Sequence, residues 1–264
     1  MPALIPIDDP LDSRIAAYRD IRERDLVGRD GLFVAEGEVV VRVLLTRSLY
    51  RPVSLLISEK RIATLADIVP PDLPVFVAAQ PILDAIAGFH LHRGILALGR
   101  ANPAVAAASL LASLPPRATV VVLFAIANHD NMGGIFRNAA AFGADAVILD
   151  AACCDPLYRK AIRVSVGAAL TVPFARLASG DDAIALLRSQ NFTPLALSPR
   201  GATALSELRP PPRVAALFGT EGPGLPDEIM ARAETVRIEM PGAMDSLNVA
   251  TASGIVLHRL ASRS

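Results

Sequence analysis

Leu217-Phe218-Gly219-Thr220-Glu221-Gly222-Pro223-Gly224-Leu225 and, further on, Ile238-Glu239-Met240-Pro241-Gly242-Ala243-Met244-Asp245-Ser246-Leu247-Asn248-Val249 are the stretches that decide how this chain folds. In each, a short apolar run breaks into a polar, glycine-bearing turn, the pattern of a buried strand that ends where something binds. Glycines let a backbone approach a ligand closely, and the free N–H groups of such a turn can hold a small polar molecule. The pair therefore reads as a cofactor pocket at the ends of two strands. Its spacing, G-x-x-G-x-G, is not the G-x-G-x-x-G of a dinucleotide site, and it lies late in the chain rather than in a first βαβ unit. That weighs against a Rossmann-type nucleotide-dependent enzyme.

Working outward from these turns, apolar runs at 119–126, 146–149, 170–174, 194–197, 214–218 and 236–240 are continuous rather than alternating. Such runs indicate a parallel sheet covered on both faces. Amphipathic segments at 133–142, 157–166, 181–190, 226–233 and 247–260 supply the helical crossovers. Upstream, Leu114-Pro115-Pro116 closes an Ala-rich stretch and prevents a helix from continuing, which marks residues 101–116 as a linker. Before it, residues 1–100 form a smaller α/β unit with strands at 32–35, 53–58, 74–78 and 94–98 and helices at 37–46, 59–67 and 80–87. A helical arm at 11–27 carries Arg14, Arg19, Arg22 and Arg24 among apolar residues, and reads equally as a solvated face or as a nucleic-acid contact.

With 264 residues the chain can bury two cores, and its formal net charge of zero excludes a strongly basic nucleic-acid binder acting through overall charge. Any contact with a polyanion must come from a local patch. The basic residues are arginines apart from Lys60 and Lys160, and arginine offers planar, bidentate contacts to phosphate. The two cysteines, Cys153 and Cys154, are adjacent, which fits neither a disulfide framework nor a zinc site. Together with a start that lacks a basic leader and with no membrane-length apolar run, this leads us to expect an intracellular, cytoplasmic protein that binds no membrane. His90 and His92 would share a face of a strand, but no third ligand stands near them, so no metal is expected.

A third segment, Asn131-Met132-Gly133-Gly134-Ile135-Phe136-Arg137-Asn138-Ala139, opens a helix after the 119–126 strand. Asn131 is placed to cap that helix. Arg137, one turn in, is either a surface arginine or, with the helix dipole, an attractor of anions or of a developing alkoxide. Glu221 could satisfy the amides of its own turn. Asp245-Ser246 could cap the last helix, with Asn248 inside its first turn. Ser246 lacks the paired His and Gly-flanked elbow of a hydrolase nucleophile, and His258 is a helix away.

In order and spacing the three segments resemble the three motifs of the SpoU branch of the SPOUT RNA methyltransferases. The resemblance covers most of residues 120–260 and implies transfer of a methyl group from S-adenosylmethionine to a ribose 2′-hydroxyl of rRNA or tRNA. It implies a catalytic domain, residues 117–264, an α/β sheet whose C-terminal segment threads a loop to form a trefoil knot, an exception to un-knotted topology. It also implies a homodimer that completes each active site. Carried over by motif, Asn131, Arg137, Glu221, Ser246 and Asn248 are the catalytic set, and Gly219, Ile238 and Leu247 hold the cofactor. The Glu36-Gly37-Glu38 turn and the His90–Gly94 stretch are similar to the ribosomal-protein-like α/β domain that binds substrate RNA in many members. One departure is Glu239 where the family usually has proline, with Pro241 displaced beyond it. The proton acceptor is left open among Arg137, a phosphate and water, and a guanidinium is a poor base because it stays charged. The alternative to an enzyme is a non-catalytic RNA-binding relative of the same fold.

Overall fold

The computed structural model describes residues 2–19, 31–88, 90–91, 94–242 and 246–262. They divide into two units: Met1–Pro103 with Pro156–Thr171, and Ala104–Asp155 with Val172–Ser264.

In the first unit five strands, β1 (Leu4–Pro6), β2 (Leu32–Glu36), β3 (Arg51–Ser58), β4 (Val75–Ala78) and β5 (Ile95–Arg100), lie in the order β1-β4-β3-β5-β2. β5 runs antiparallel to both of its neighbours and the remaining pairs are parallel. Leu56, Leu96, Leu98 and Phe76 from one face pack with Leu83 and Ile86 of the helix Gln80–Ala87 and with Ile15 and Tyr18. Tyr18 is fully buried, and its hydroxyl is satisfied by donating to the Ser54 carbonyl at 2.9 Å. Of the arm expected at 11–27, the turn Ser13–Tyr18 is a 3-10 helix, and 20–27 lie outside the described residues.

Residues 156–171, expected in the C-terminal domain, belong to this first unit. The helix Arg159–Val164 and the turn Ala168–Leu170 bury Ala161, Ile162, Ala169 and Leu170. Arg159 forms an ion pair with the buried Glu36, and Leu49 N–H donates to the Leu170 carbonyl at 2.9 Å. An apolar face is covered wherever the fold brings a partner, and sequence position does not specify that.

The second unit holds seven strands, β6 (Ala118–Leu123), β7 (Ala146–Leu149), β8 (Phe174–Arg176), β9 (Thr193–Leu197), β10 (Thr203–Ala204), β11 (Arg213–Phe218) and β12 (Glu234–Arg237), in the order β10-β12-β9-β11-β6-β7-β8. Each neighbouring pair is parallel. In the centre Val120, Val122, Ala215 and Leu217 are wholly buried alongside Val121, Leu123 and Ala216 on the opposite face, which is why these runs do not alternate. The strand expected at 170–174 falls elsewhere: Leu170 closes a 3-10 turn and β8 begins at Phe174. The expected linker 101–116 is also replaced, since Ala107–Ser113 is a helix with Leu111 fully buried in the second core. Arg213 clamps the end of that helix, donating to the Leu111 carbonyl at 3.0 Å and the Leu114 carbonyl at 3.1 Å while stacking 4.2 Å above the Phe192 ring.

From β6 the sheet grows outward through β7 and β8, and then resumes on the other side of β6, where β11 lies between β6 and β9. Such a reversal opens a crevice at the carboxyl ends of the strands, the usual ligand position in parallel α/β sheets. The turns after β6, β11 and β12 all leave from that edge.

Candidate functional site

The helix His129–Ala141 leaves the carboxyl end of β6 one turn earlier than its two glycines suggest. Its N-cap is Asn128, whose Oδ1 accepts from the amides of Asp130 at 2.7 Å and Asn131 at 3.4 Å. Asn131, expected to be the cap, is therefore free to use its side chain elsewhere, and it is 8% exposed. Its Nδ2 donates to Glu221 Oε1 at 2.9 Å.

Asn248 completes a junction at the same carboxylate. Its Oδ1 accepts from the amides of Ala250 at 2.9 Å and Thr251 at 3.2 Å, capping the helix Val249–Ala261. This replaces the expected Asp245-Ser246 cap; Asp245 lies outside the described residues and Ser246 is exposed. With Oδ1 committed to the helix, Nδ2 must point back, and it donates to Glu221 Oε1 at 2.9 Å and Asn131 Oδ1 at 2.8 Å. The Glu221 carboxylate thus receives two amide donors beside the starts of two helices, where the dipoles favour negative charge. It ties the turn after β11 to both helices, rather than satisfying amides of its own turn.

Close helix packing holds the junction. A Cβ on Gly134 would come within 2.7 Å of the Ala250 Cβ, so the glycine lets the two helices meet. One turn on, Asn138 Nδ2 donates to the Ala250 carbonyl at 2.6 Å and Ser253 Oγ at 2.9 Å. Asn138 was not singled out in the sequence, although an amide one turn beyond Gly134 in an Ala-rich helix was a signal of such a contact.

Gly219 directly follows β11, and a Cβ there would lie 2.2 Å from the Gly224 carbonyl carbon. The turn's own backbone fills the space that the sequence reading reserved for a ligand. Gly222 and Gly224 have φ of 86° and 76°, and nothing lies within 4 Å of where a Cβ would stand on either. Ile238, half-buried, begins the turn after β12. Its neighbour Glu239 accepts a hydrogen bond from Ser206 Oγ, which holds the carboxyl below its ordinary range. Leu205 N–H donates to the Arg237 carbonyl at 2.8 Å, so the departure from the family's proline is matched by anchors at the base of the turn. Leu247 is 39% exposed beside Asn248. Of the three residues expected to hold the cofactor, Gly219 is closed off by its own turn, Ile238 is half-buried and Leu247 is exposed.

Arg137 is exposed, and its guanidinium joins none of Asn131, Glu221, Ser246 and Asn248. It lies off the Asn131-Gly134-Asn138 stripe that meets the last helix. Cys153 and Cys154 lie in the turn after β7, where the Cys154 N–H donates to the Ile126 carbonyl at 2.9 Å; burial pushes their thiols up to about 12 and about 11. His90 Nδ1 meets Asp84 Oδ2 at 2.7 Å, and His92 lies outside the described residues. Among the described residues no group of three or more His, Cys, Asp or Glu is arranged to hold a metal, and no helix is long and apolar enough to cross a membrane.

Residues 118–258 match the SpoU rRNA methylase family. An uncharacterised tRNA/rRNA methyltransferase of Mycobacterium bovis is 39% identical over 260 residues, covering 95% of this chain and 89% of that protein. The fold superimposes on the AdoMet-bound rRNA methyltransferase of Sinorhizobium meliloti with a TM-score of 0.81 at 23% identity, over 97% of both chains. It superimposes on an RNA 2′-O ribose methyltransferase with a TM-score of 0.79 at 22% identity, over 99% of both chains. The chain belongs to the SpoU rRNA methylase family.

Proposed function

We propose that this chain transfers a methyl group from S-adenosylmethionine to a ribose 2′-hydroxyl of rRNA or tRNA. The observation that carries the reading is the junction at Glu221, where Asn131 and Asn248 converge at 2.9 Å each on one carboxylate oxygen at the carboxyl edge of the parallel sheet. Three segments distant in sequence meet there, and they are the three that resemble the SpoU motifs.

In this reading the turns at 219–224 and 238–242, with Leu247, hold the cofactor, chiefly through backbone groups. The cofactor supplies a methyl already activated on sulfur, which leaves the protein to align the 2′-oxygen and ease loss of its proton. Glu221 holds the turn after β11 against both helix starts, and so keeps the cofactor turn and Ser246 in register. Ser246, exposed beside the Asn248 cap, orients the hydroxyl. Arg137 stabilises the alkoxide and an adjacent phosphate by charge, a role suited to a group that does not give up its proton. Because Arg137 stands off the junction of its own chain, a homodimer in which one protomer's Arg137 serves its partner's cofactor site accounts for its position. The C-terminal segment threads a loop to form the trefoil knot. The unit holding residues 1–100 binds the substrate RNA, and the protein works in the cytoplasm.

The test is a transcriptome-wide map of 2′-O-methyl sites in cells with and without the gene, followed by methyl transfer in vitro by the purified chain on the RNA identified. Loss of one ribose methyl mark, restored by the wild-type chain, is the expected result. An unchanged map together with RNA binding would favour the non-catalytic relative, and preferential binding of NAD over S-adenosylmethionine would overturn the cofactor assignment.

A further inference from the structure

At the end of the first sheet where β3 begins and β5 finishes, Arg51 and Arg100 stand directly opposite each other in an antiparallel pair. Directly opposed side chains share a face with their Cβ atoms about 4.5–5.5 Å apart, and like charges so placed are destabilising. Both residues are exposed. Across the other edge of β5 the residue opposite Arg100 is Leu32, which offers no charge. Arg47, also exposed, stands on the turn that leads into β3. No carboxylate among the described residues pairs with any of the three. Among the described residues, five acids of this unit are paired elsewhere: Asp12 with Arg14, Glu38 and Asp67 with Arg42, Asp84 with His90, and Glu36 with Arg159.

The turn that presents these arginines is fixed. Leu49 N–H donates to the Leu170 carbonyl at 2.9 Å, and Asn102 Nδ2 donates to the Leu49 carbonyl at 2.9 Å. Cations held close together on a rigid edge, with no counterion among the described residues, form an arrangement that costs the free protein stability and gains it from a polyanion. We infer that this end of the sheet, through Arg51, Arg100 and Arg47, is a docking site for the phosphate backbone of the substrate RNA. The inference rests on the RNA methyltransferase reading and locates its RNA contact at the Arg51 end of the sheet, opposite the Glu36 and Gly94 end. Arginine suits this contact because its planar fork grips a phosphate in two places.

The experiment uses the full-length chain with fluorescently labelled bulk tRNA and a transcribed rRNA fragment, titrated by anisotropy over a series of salt concentrations. Arg51→Ala and Arg100→Ala should each weaken binding several-fold and lower the slope of log affinity against log salt by about 0.7–0.9, the loss of one phosphate contact. The same variants should melt at or above the wild-type Tm and bind S-adenosylmethionine with unchanged affinity, because the pair repels itself in the free protein. Arg51→Lys should keep the slope and lose part of the affinity. Unchanged RNA affinity and slope in both alanine variants, with wild type binding RNA, would overturn this inference and leave the methyltransferase reading intact. A fall in Tm for both would also overturn it, by showing that the fold itself neutralises the pair. Wild type that binds neither RNA would overturn the methyltransferase reading as well.

Discussion

With Oδ1 occupied by the Ala250 and Thr251 amides, Asn248 has only Nδ2 left for Glu221 and Asn131, so its capping and joining roles can be separated. Serine caps a helix about as well as asparagine but carries no amide donor and is too short to reach the carboxylate. Asn248→Ser should cost no more than about 1 kcal/mol of stability while lowering single-turnover methyl transfer about tenfold or more. A normal rate would mean that Glu221 holds the site without Asn248. Arg137→Ala, by contrast, should leave cofactor affinity nearly unchanged and lower the single-turnover rate about a hundredfold or more, the scale of losing a positioned transition-state donor. Arg137→Lys should recover little, since a point charge does not reproduce a planar fork. A near-normal rate in the alanine variant would return Arg137 to the status of a surface residue. The cysteines lead to a simpler expectation. Burial pushes their thiols up to about 12 and about 11, so at pH 8 neither forms appreciable thiolate in the native chain. Iodoacetamide should alkylate both only after denaturation, as read by intact mass.

At the scale of elements, the central strands were legible because a strand buried on both faces has to be a short apolar run, as β6, β7 and β11 are. Helix starts were less legible, because Gly133-Gly134 looked like the loop before a helix and is in fact its second turn. The glycine pays for helix-to-helix approach, a tertiary reason that no local pattern displays. Gly134→Ala gains about 1 kcal/mol of helix propensity but drives a methyl into Ala250, an overpacking cost of about 1–3 kcal/mol. The expected net effect is destabilisation with a displaced Asn248 and a slower methyl transfer. Adding Ala250→Gly to the same chain should restore both by vacating the contact. Failure of the double variant to recover would show that Gly134 serves something other than this crossing. β8 was misplaced for a related reason: Leu170 is as apolar as a strand residue, but the positive φ of Gly167 turns the chain into a 3-10 turn first.

At the scale of the whole molecule, the Pro-rich stretch near residue 115 falls inside the second unit, which begins at Ala104, and neither that nor the membership of residues 156–171 is legible in the sequence. That segment returns to the first unit through a long-range ion pair, Arg159 with Glu36, and nothing in either local sequence names its partner. Glu36 is only 8% exposed, so the first unit holds a carboxylate that water does not solvate. Arg163 reaches the other Glu36 oxygen only at 4.0 Å and cannot replace Arg159. Breaking a buried pair by removing one partner leaves an uncompensated charge and typically costs about 3–5 kcal/mol, whereas replacing the pair by apolar groups of similar volume is often neutral. Arg159→Met should therefore destabilise the first unit by about that amount, Glu36→Gln by less, and Arg159→Met with Glu36→Met should recover most of the loss. Urea unfolding followed by tyrosine fluorescence reports this unit, since Tyr18, Tyr50 and Tyr158 all lie in it and the chain has no tryptophan. Additive losses in the double variant would mean that the two residues do not act as a pair. A fragment covering residues 1–103 alone lacks Arg159 together with the buried Ile162 and Leu170, so it should unfold at lower urea than the same unit in the full chain. Equal midpoints would show that the first unit does not need the returning segment.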